Sequence, residues 1–422
     1  MSEISEDQIV IRKSPPLRGA VRVDGSKNSV LPIMAASLLS DGECAIRDVP
    51  ELSDVEVMAE LLSKLGADVR SEGGVTRIDA NRLTETTAPH ELAGRMRASF
   101  LLAGPLLART GRARIPLPGG CRIGERPVEL HLKGFAALGA EIEVVAGYVE
   151  CSAKNLRGAS VYLDFPSVGA TENIMMAAAL ADGTTTIQNC AVEPEIVDLA
   201  SFLVAAGADV RGSGTDTIRV KGVPSLSGCD HTVIPDRVEA GTYMTAAAIT
   251  GGDVTVGNVV VDHLKPVVAK LREAGADVTE SDGAVRVRAD ELKAIDIKTL
   301  PYPGFPTDMQ AQFMALLSVV PGTSIVTETV FENRFMHAGE LKRMGANIVV
   351  EGRVGVVEGV PALSGAEVRA TDLRAGAGLI LAGLIAGGET RVSDVYHIDR
   401  GYGGIDRKLR GLGANIDRIA SR

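Results

Sequence analysis

The chain contains no tryptophan, and only 3% of its 422 residues are aromatic. Single-stranded nucleic acids are held on stacked rings, so that class of binding is excluded. Positive charge is also short. Forty-four Lys and Arg stand against 54 Asp and Glu, leaving a net charge of −10, whereas phosphate-backbone binding needs a basic face. No uninterrupted apolar run reaches the roughly 20 residues of a membrane helix. The first residues, MSEISEDQIVIRKSPP, are acidic and lack an apolar signal core, which predicts a cytoplasmic protein with no membrane association. Cys44, Cys121, Cys151, Cys190 and Cys229 are odd in number, scattered and without a CxxC pair. That pattern argues against a disulfide framework and against a zinc site. A GxGxxG fingerprint and a Walker A loop are missing too, so neither a nucleotide cofactor nor a metal is expected.

What is present is a repeat. KLGADV at Lys64, ALGAEI at Ala137, AAGADV at Ala205, EAGADV at Glu273, RMGANI at Arg343 and GLGANI at Gly411 share one pattern. Their glycines, Gly66, Gly139, Gly207, Gly275, Gly345 and Gly413, lie 68 to 73 residues apart. A fixed period sets architecture before any single residue does. Ahead of each glycine the apolar residues follow helical spacing, as in Val57, Leu61, Leu62 and Leu65. The glycine stands where a helix end wants a left-handed residue. A strand, a turn and a second strand follow, read in the first unit as Asp68–Arg70 and Val75–Ile78; the sixth unit stops after one strand. Six α/β packets in this length predict two domains of three, with crossings near Asp24–Lys27 and Thr232–Asp236.

Four groups of residues could carry chemistry. LPGGCRIGERPVELH, from Leu117 to His131, opens as a glycine-hinged loop. It presents Cys121 between Arg122 and Arg126, and neighbouring cations favour a thiolate; the plain alternative is an unreactive loop cysteine. Cys44, in ECAIRDV, reads as strand core. GSKN, from Gly25, opens a helix whose free N–H groups favour an anion, with Lys27 adding charge; alternatively Lys27 is a solvated side chain. PYPGFPTDMQAQF, from Pro301, leads rigidly to Asp308, either a helix N-cap or a general base toward a hydroxyl. Arg97, Arg334, Arg374 and Arg400 each sit near an element end. Singly they are surface arginines; converging, they would grip carboxylate and phosphate bidentately.

These segments together resemble the enolpyruvyl transferases. The resemblance also draws on MRAS at Met96, SVGAT at Ser167, EPEIVD at Glu193, PDRVEAGT at Pro235, FPTDMQAQF at Phe305, TETVFENRFMH at Thr327, ATDLRA at Ala370 and YHIDRGY at Tyr396. It runs along essentially the whole chain. It implies an α/β fold, a two-domain inside-out α/β barrel of six βαβαββ units with helices inside and sheets outside. Residues 1–25 and 235–422 would form one discontinuous domain and 26–234 the other, with the active site in the cleft between them. The branch it most resembles transfers the enolpyruvyl group of phosphoenolpyruvate to the 3′-hydroxyl of UDP-N-acetylglucosamine, by addition and then elimination of phosphate, in peptidoglycan precursor synthesis. By that resemblance Cys121 protonates the methylene carbon and can form an adduct, and Asp308 is the base or proton shuttle. Lys27, Arg126 and Arg400 would hold phosphate, and Arg334 and Arg374 would face the carboxylate. Asn28, Arg97, Arg126, Pro127, Val128, Glu129, Leu130, Ser167, Val168 and Val330 would contact the nucleotide sugar.

Two positions depart from the pattern. Phe165 and Ser53 stand where some members carry lysine. Three rival readings stay open. The shikimate-pathway member would show a GNAGT-type segment and no cysteine in a PGGC loop, and this chain shows the reverse. A secondary-metabolism paralogue that uses a simpler uridine nucleotide as acceptor is not excluded by these motifs. A non-catalytic nucleotide-sugar binder would be expected to have lost one of Cys121, Asp308, Lys27 or Arg400.

Overall fold

A computed structural model describes residues 7–118 and 128–420 of the chain. They divide into two compact units, one of residues 7–24 and 235–420, the other of 25–118 and 128–234. One repeat shows the plan. Strand Ser160–Tyr162 crosses through helix Val168–Ala178 to a parallel partner, Thr184–Gln188, with Val161 opposite Ile187. Helix Pro194–Ala205 follows, then Asp209–Arg211 and Thr217–Lys221, which pair antiparallel. A parallel pair needs a crossover of this length, whereas the final hairpin needs only a turn.

Three repeats borrow strands from elsewhere in their unit, and in one of them Asp253–Gly257 takes Arg18–Arg22 as its parallel partner. Strand Glu43–Arg47 receives its parallel partner, Asp230–Thr232, from the far end of its unit. In the other unit, Gln8–Arg12 pairs antiparallel with both Glu389–Ser393 and Ile416–Ile419. The sixth repeat is therefore complete: its last strand is the first of the chain.

The LGA signature has a local cause. In the first unit Ala67 N–H donates to Leu62 C=O at 3.0 Å and Gly66 N–H to Ser63 C=O at 3.1 Å. That is a Schellman closure, with the left-handed glycine just past the helix and an apolar contact behind it. The same pair of bonds recurs at Gly139, Gly207, Gly275, Gly345 and Gly413. All six glycines have φ between 93° and 108°, where a Cβ is strongly disfavoured. The residue five before each alanine, which accepts its bond, is buried in every unit from Leu62 to Leu409.

Helices of two kinds explain the layering. Those that end in LGA are one-faced: Ser53–Lys64 buries Val57, Met58, Leu61 and Leu62. The crossover helices are buried on almost every side. Arg237–Ile249, Gln310–Leu317 and Leu373–Ile385 fill the centre of one unit. Lys27–Ala36 and Val168–Ala178 do so in the other. A helix apolar all round must lie inside, so in each unit helices form the core and sheets the outer layer. Close approach is bought with small residues: a Cβ on Gly378 would sit 2.8 Å from the Ala311 carbonyl oxygen. No helix among the described residues is long and apolar enough to cross a membrane.

Candidate functional site

In parallel α/β units the loops leaving the carboxyl ends of strands carry ligand groups. Most of the described residues singled out by sequence occupy such positions, at or just before helix N-termini. Within residues 25–234, Lys27 and Asn28 open helix Lys27–Ala36 and Arg97 opens the 3-10 turn Arg97–Leu102. Val128 precedes and Glu129 and Leu130 begin helix Glu129–Ala137. Ser167 caps helix Val168–Ala178, its hydroxyl accepting from Ala170 N–H at 3.3 Å, and Val168 is that helix's first residue.

Lys27 is not a solvated lysine. Its Nζ lies 2.7 Å from Oδ2 of Asp54, and both side chains are largely buried. Asp54 sits in the first turn of the helix that Ser53 opens. Two residues on, Ser29 donates to Asp198, which also meets His231 Nε2 at 2.8 Å and accepts Ile234 N–H at 3.2 Å. Asp198 thus ties the helix carrying Lys27 to the strand that completes the sheet beside it. Beside Arg97 lies His131. Burial, with the Arg97 charge adding, pushes its imidazole down to about 3. Asn173 Nδ2, which can only donate, lies 2.9 Å from His131 Nδ1. The neutral ring therefore carries its hydrogen on Nε2. Phe165 is exposed.

Within the other unit, Asp308 does not act as an N-cap. It lies in the 3-10 turn Thr307–Met309, and neither that turn nor helix Gln310–Leu317 receives a side-chain cap. Its carboxylate is instead gripped by two arginines. Arg334 Nη2 donates to Oδ1 at 2.9 Å, and Arg374 donates to Oδ2 through Nε at 3.1 Å and Nη2 at 2.9 Å. Both arginines are buried, not surface residues. Burial opposes the charge on Arg374, but Asp308, then Tyr402 and Asp236, outweigh it and the net shift is upward. Tyr402 also accepts from Arg374 Nη1 at 3.3 Å.

A buried glutamate sets the neighbouring loop. Glu328 accepts Val330 N–H at 2.8 Å, Phe331 N–H at 3.1 Å and the hydroxyls of Thr299 and Thr307 at 2.8 and 2.9 Å. It joins the loop of Val330 to the residue before Asp308. Arg400 follows the short helix Tyr396–Asp399 and is half-buried. Cys121, Arg126 and Pro127 lie outside the described residues.

The structure therefore gathers Asp308, Arg334 and Arg374 into one contact set and pairs Lys27 with Asp54. Asp54 was not singled out by sequence, and His131, Asp198, Glu328 and Tyr402 fall inside quoted motifs without being given a role of their own. Asp54 stands in an ordinary polar stretch, and only the fold shows it buried against a cation and Glu328 against N–H and hydroxyl groups.

The family described as EPSP synthase (3-phosphoshikimate 1-carboxyvinyltransferase) matches residues 11–409. The chain is 60% identical, over 97% of its length and 99% of the relative's, to UDP-N-acetylglucosamine 1-carboxyvinyltransferase 1 of Caldanaerobacter subterraneus subsp. tengcongensis. It is 58% identical, over 98% of its length and 100% of the relative's, to UDP-N-acetylglucosamine 1-carboxyvinyltransferase 2 of Carboxydothermus hydrogenoformans. Among solved structures, the enolpyruvyl transferase NikO from Streptomyces tendae superposes with a TM-score of 0.90 at 27% identity, covering 99% of this chain and 100% of that one. The chain belongs to the EPSP synthase family of enolpyruvyl transferases, and within it to the UDP-N-acetylglucosamine 1-carboxyvinyltransferases.

Proposed function

We propose that this protein transfers the enolpyruvyl group of phosphoenolpyruvate to the 3′-hydroxyl of UDP-N-acetylglucosamine and releases phosphate, in the cytoplasm. The observation that carries this reading is the near full-length match, at 58% and 60% identity, to relatives named for that transfer.

The chain's residues divide the work as follows. Cys121 delivers a proton to the methylene carbon as the sugar oxygen adds to the neighbouring carbon, and the resulting tetrahedral ketal expels phosphate. Asp308 takes the hydroxyl proton; its two oxygens are held by Arg334 and Arg374, so it cannot swing away. A positioned acid or base of this kind is worth about 10²–10⁴ in rate. Those two arginines and Lys27, Arg126 and Arg400 supply the positive charge that the carboxylate and phosphate require. Lys27 is aimed by Asp54. Asn28, Arg97, the Arg126–Leu130 stretch, Ser167, Val168 and Val330 contact the nucleotide sugar.

The test is phosphate release. It is expected when phosphoenolpyruvate and UDP-N-acetylglucosamine are mixed with the enzyme, and not when shikimate 3-phosphate or a simple uridine nucleotide replaces the sugar. Tight sugar-nucleotide binding with no release would identify a non-catalytic binder instead.

A further inference from the structure

Two of the five cysteines, far apart in sequence, meet in the fold. Strands Glu43–Arg47 and Asp230–Thr232 run parallel, with Ala45 opposite Asp230. One step back in that register Cys44 stands opposite Cys229, and the ladder continues there through Ala45 N–H donating to the Cys229 carbonyl at 2.8 Å. Neighbouring strands lie about 4.8 Å apart, inside the Cα separation of roughly 4.4–6.8 Å that a disulfide spans. Cys44 is buried in the core of its unit, whereas Cys229 is partly exposed, which gives a small oxidant a way in.

The two thiols also act on one another. The Cys229 thiol, against the opposing effect of burial and with Ser40 adding to it, draws Cys44 below the ordinary thiol range. Cys229 is driven upward in return, first by Cys44 and then by burial. Cys151 and Cys190 show the contrast: burial pushes each up to about 11. A sulfenic acid formed on one of two adjacent thiols condenses with the other to a disulfide.

We propose that Cys44 and Cys229 form a reversible dithiol–disulfide pair that takes up oxidising equivalents from peroxides. One sulfur accepts one peroxide oxygen as a sulfenic acid, with release of one water. The other sulfur then displaces that oxygen as a second water. Two thiols lose two protons and two electrons, the O–O bond breaks and one S–S bond forms. The new bond ties the chain entering the strand from the end of the unit covalently to the strand that borrows it.

The experiment treats the full chain with hydrogen peroxide, blocks remaining thiols with iodoacetamide, and maps the digest by mass spectrometry. The expected result is a Cys44 peptide joined to a Cys229 peptide, two hydrogens lighter than the pair, lost on adding dithiothreitol, with Cys151 and Cys190 alkylated. Recovery of Cys44 and Cys229 both alkylated, at a peroxide dose that oxidises Cys121, overturns the proposal. Unlinked sulfinic acid at either position, or links only to other cysteines, overturns it equally.

Discussion

Arg374 and Asp308 are 66 residues apart in sequence and joined by two hydrogen bonds, both to the same carboxylate oxygen. Arg334 holds the other oxygen. The arginines are buried and the aspartate is partly so, so the charges depend on one another. Removing one member of a buried pair leaves the other uncompensated, at a cost of about 3–5 kcal/mol.

Asp308→Ala is therefore expected to fail twice. Turnover falls by about 10²–10⁴, the worth of a positioned base, while the unfolding free energy drops by about 3 kcal/mol. Calorimetry of UDP-N-acetylglucosamine binding alongside urea unfolding separates the effects. Binding of the sugar nucleotide is expected to weaken far less than turnover, and equal losses in both would reassign Asp308 to binding.

Lys27 and Asp54 form a second test of interdependence, at 2.7 Å and largely buried. Lys27→Met removes a charge that the phosphate requires and strands Asp54. Asp54→Asn keeps the lysine but loosens its aim, and is expected to lower kcat with KM for UDP-N-acetylglucosamine nearly unchanged. Steady-state kinetics of the two variants and of the double variant check it: the double variant should be no worse than Lys27→Met alone.

His131 gives a pH dependence. Its folded-state value of about 3 lies below the ordinary 6.5, so the unfolded chain binds the proton first as pH falls. Its contribution to stability is complete above about 6.5 and is lost toward acid, at about 1.4 kcal/mol per pH unit. Glu239 works in the opposite direction, since burial raises it to about 7. Comparing wild type with His131→Gln isolates the histidine. On going from pH 7 to pH 5 the urea midpoint of the variant should rise relative to that of the wild type; an unchanged relative midpoint would count against a buried neutral ring.

Gly378→Ala tests the core. The added methyl would meet the Ala311 carbonyl oxygen at 2.8 Å, a backbone atom that cannot rotate aside. Overpacking of this kind costs about 1–3 kcal/mol. A lower melting midpoint is expected, although alanine is the better helix former, and an unchanged or higher midpoint would show that the two inner helices can part.

How much of this was legible in the sequence follows from where each constraint acts. The Leu-Gly-Ala closures were legible because every bond in them spans a few residues, as from Ala67 to Leu62. The completion of the sixth repeat was not, since Gln8–Arg12 and Ile416–Ile419 lie at opposite ends of the chain. Asp308 drew attention through its prolines, yet its apparent role as a cap gave way to two distant arginines that no local pattern reveals. Glu328 shows the same limit: it lies inside a quoted motif, yet its four donors appear only in the fold. Cys121 lies outside the described residues, and its loop is legible only as a motif.

For that cysteine the expectation is chemical. Cys121→Ser should lose most turnover and should no longer be alkylated by the epoxide phosphonate fosfomycin, a phosphoenolpyruvate mimic. Intact mass after incubation checks it, and a wild-type mass gain in the serine variant would contradict the assignment.

The central claim concerns which bond is made. Phosphoenolpyruvate labelled with carbon-13 at its second carbon, turned over with UDP-N-acetylglucosamine, should give a product whose labelled carbon correlates in a long-range NMR spectrum with the hydrogen on carbon 3 of the sugar ring. Label appearing only as free pyruvate, or attached at any other hydroxyl, would contradict it.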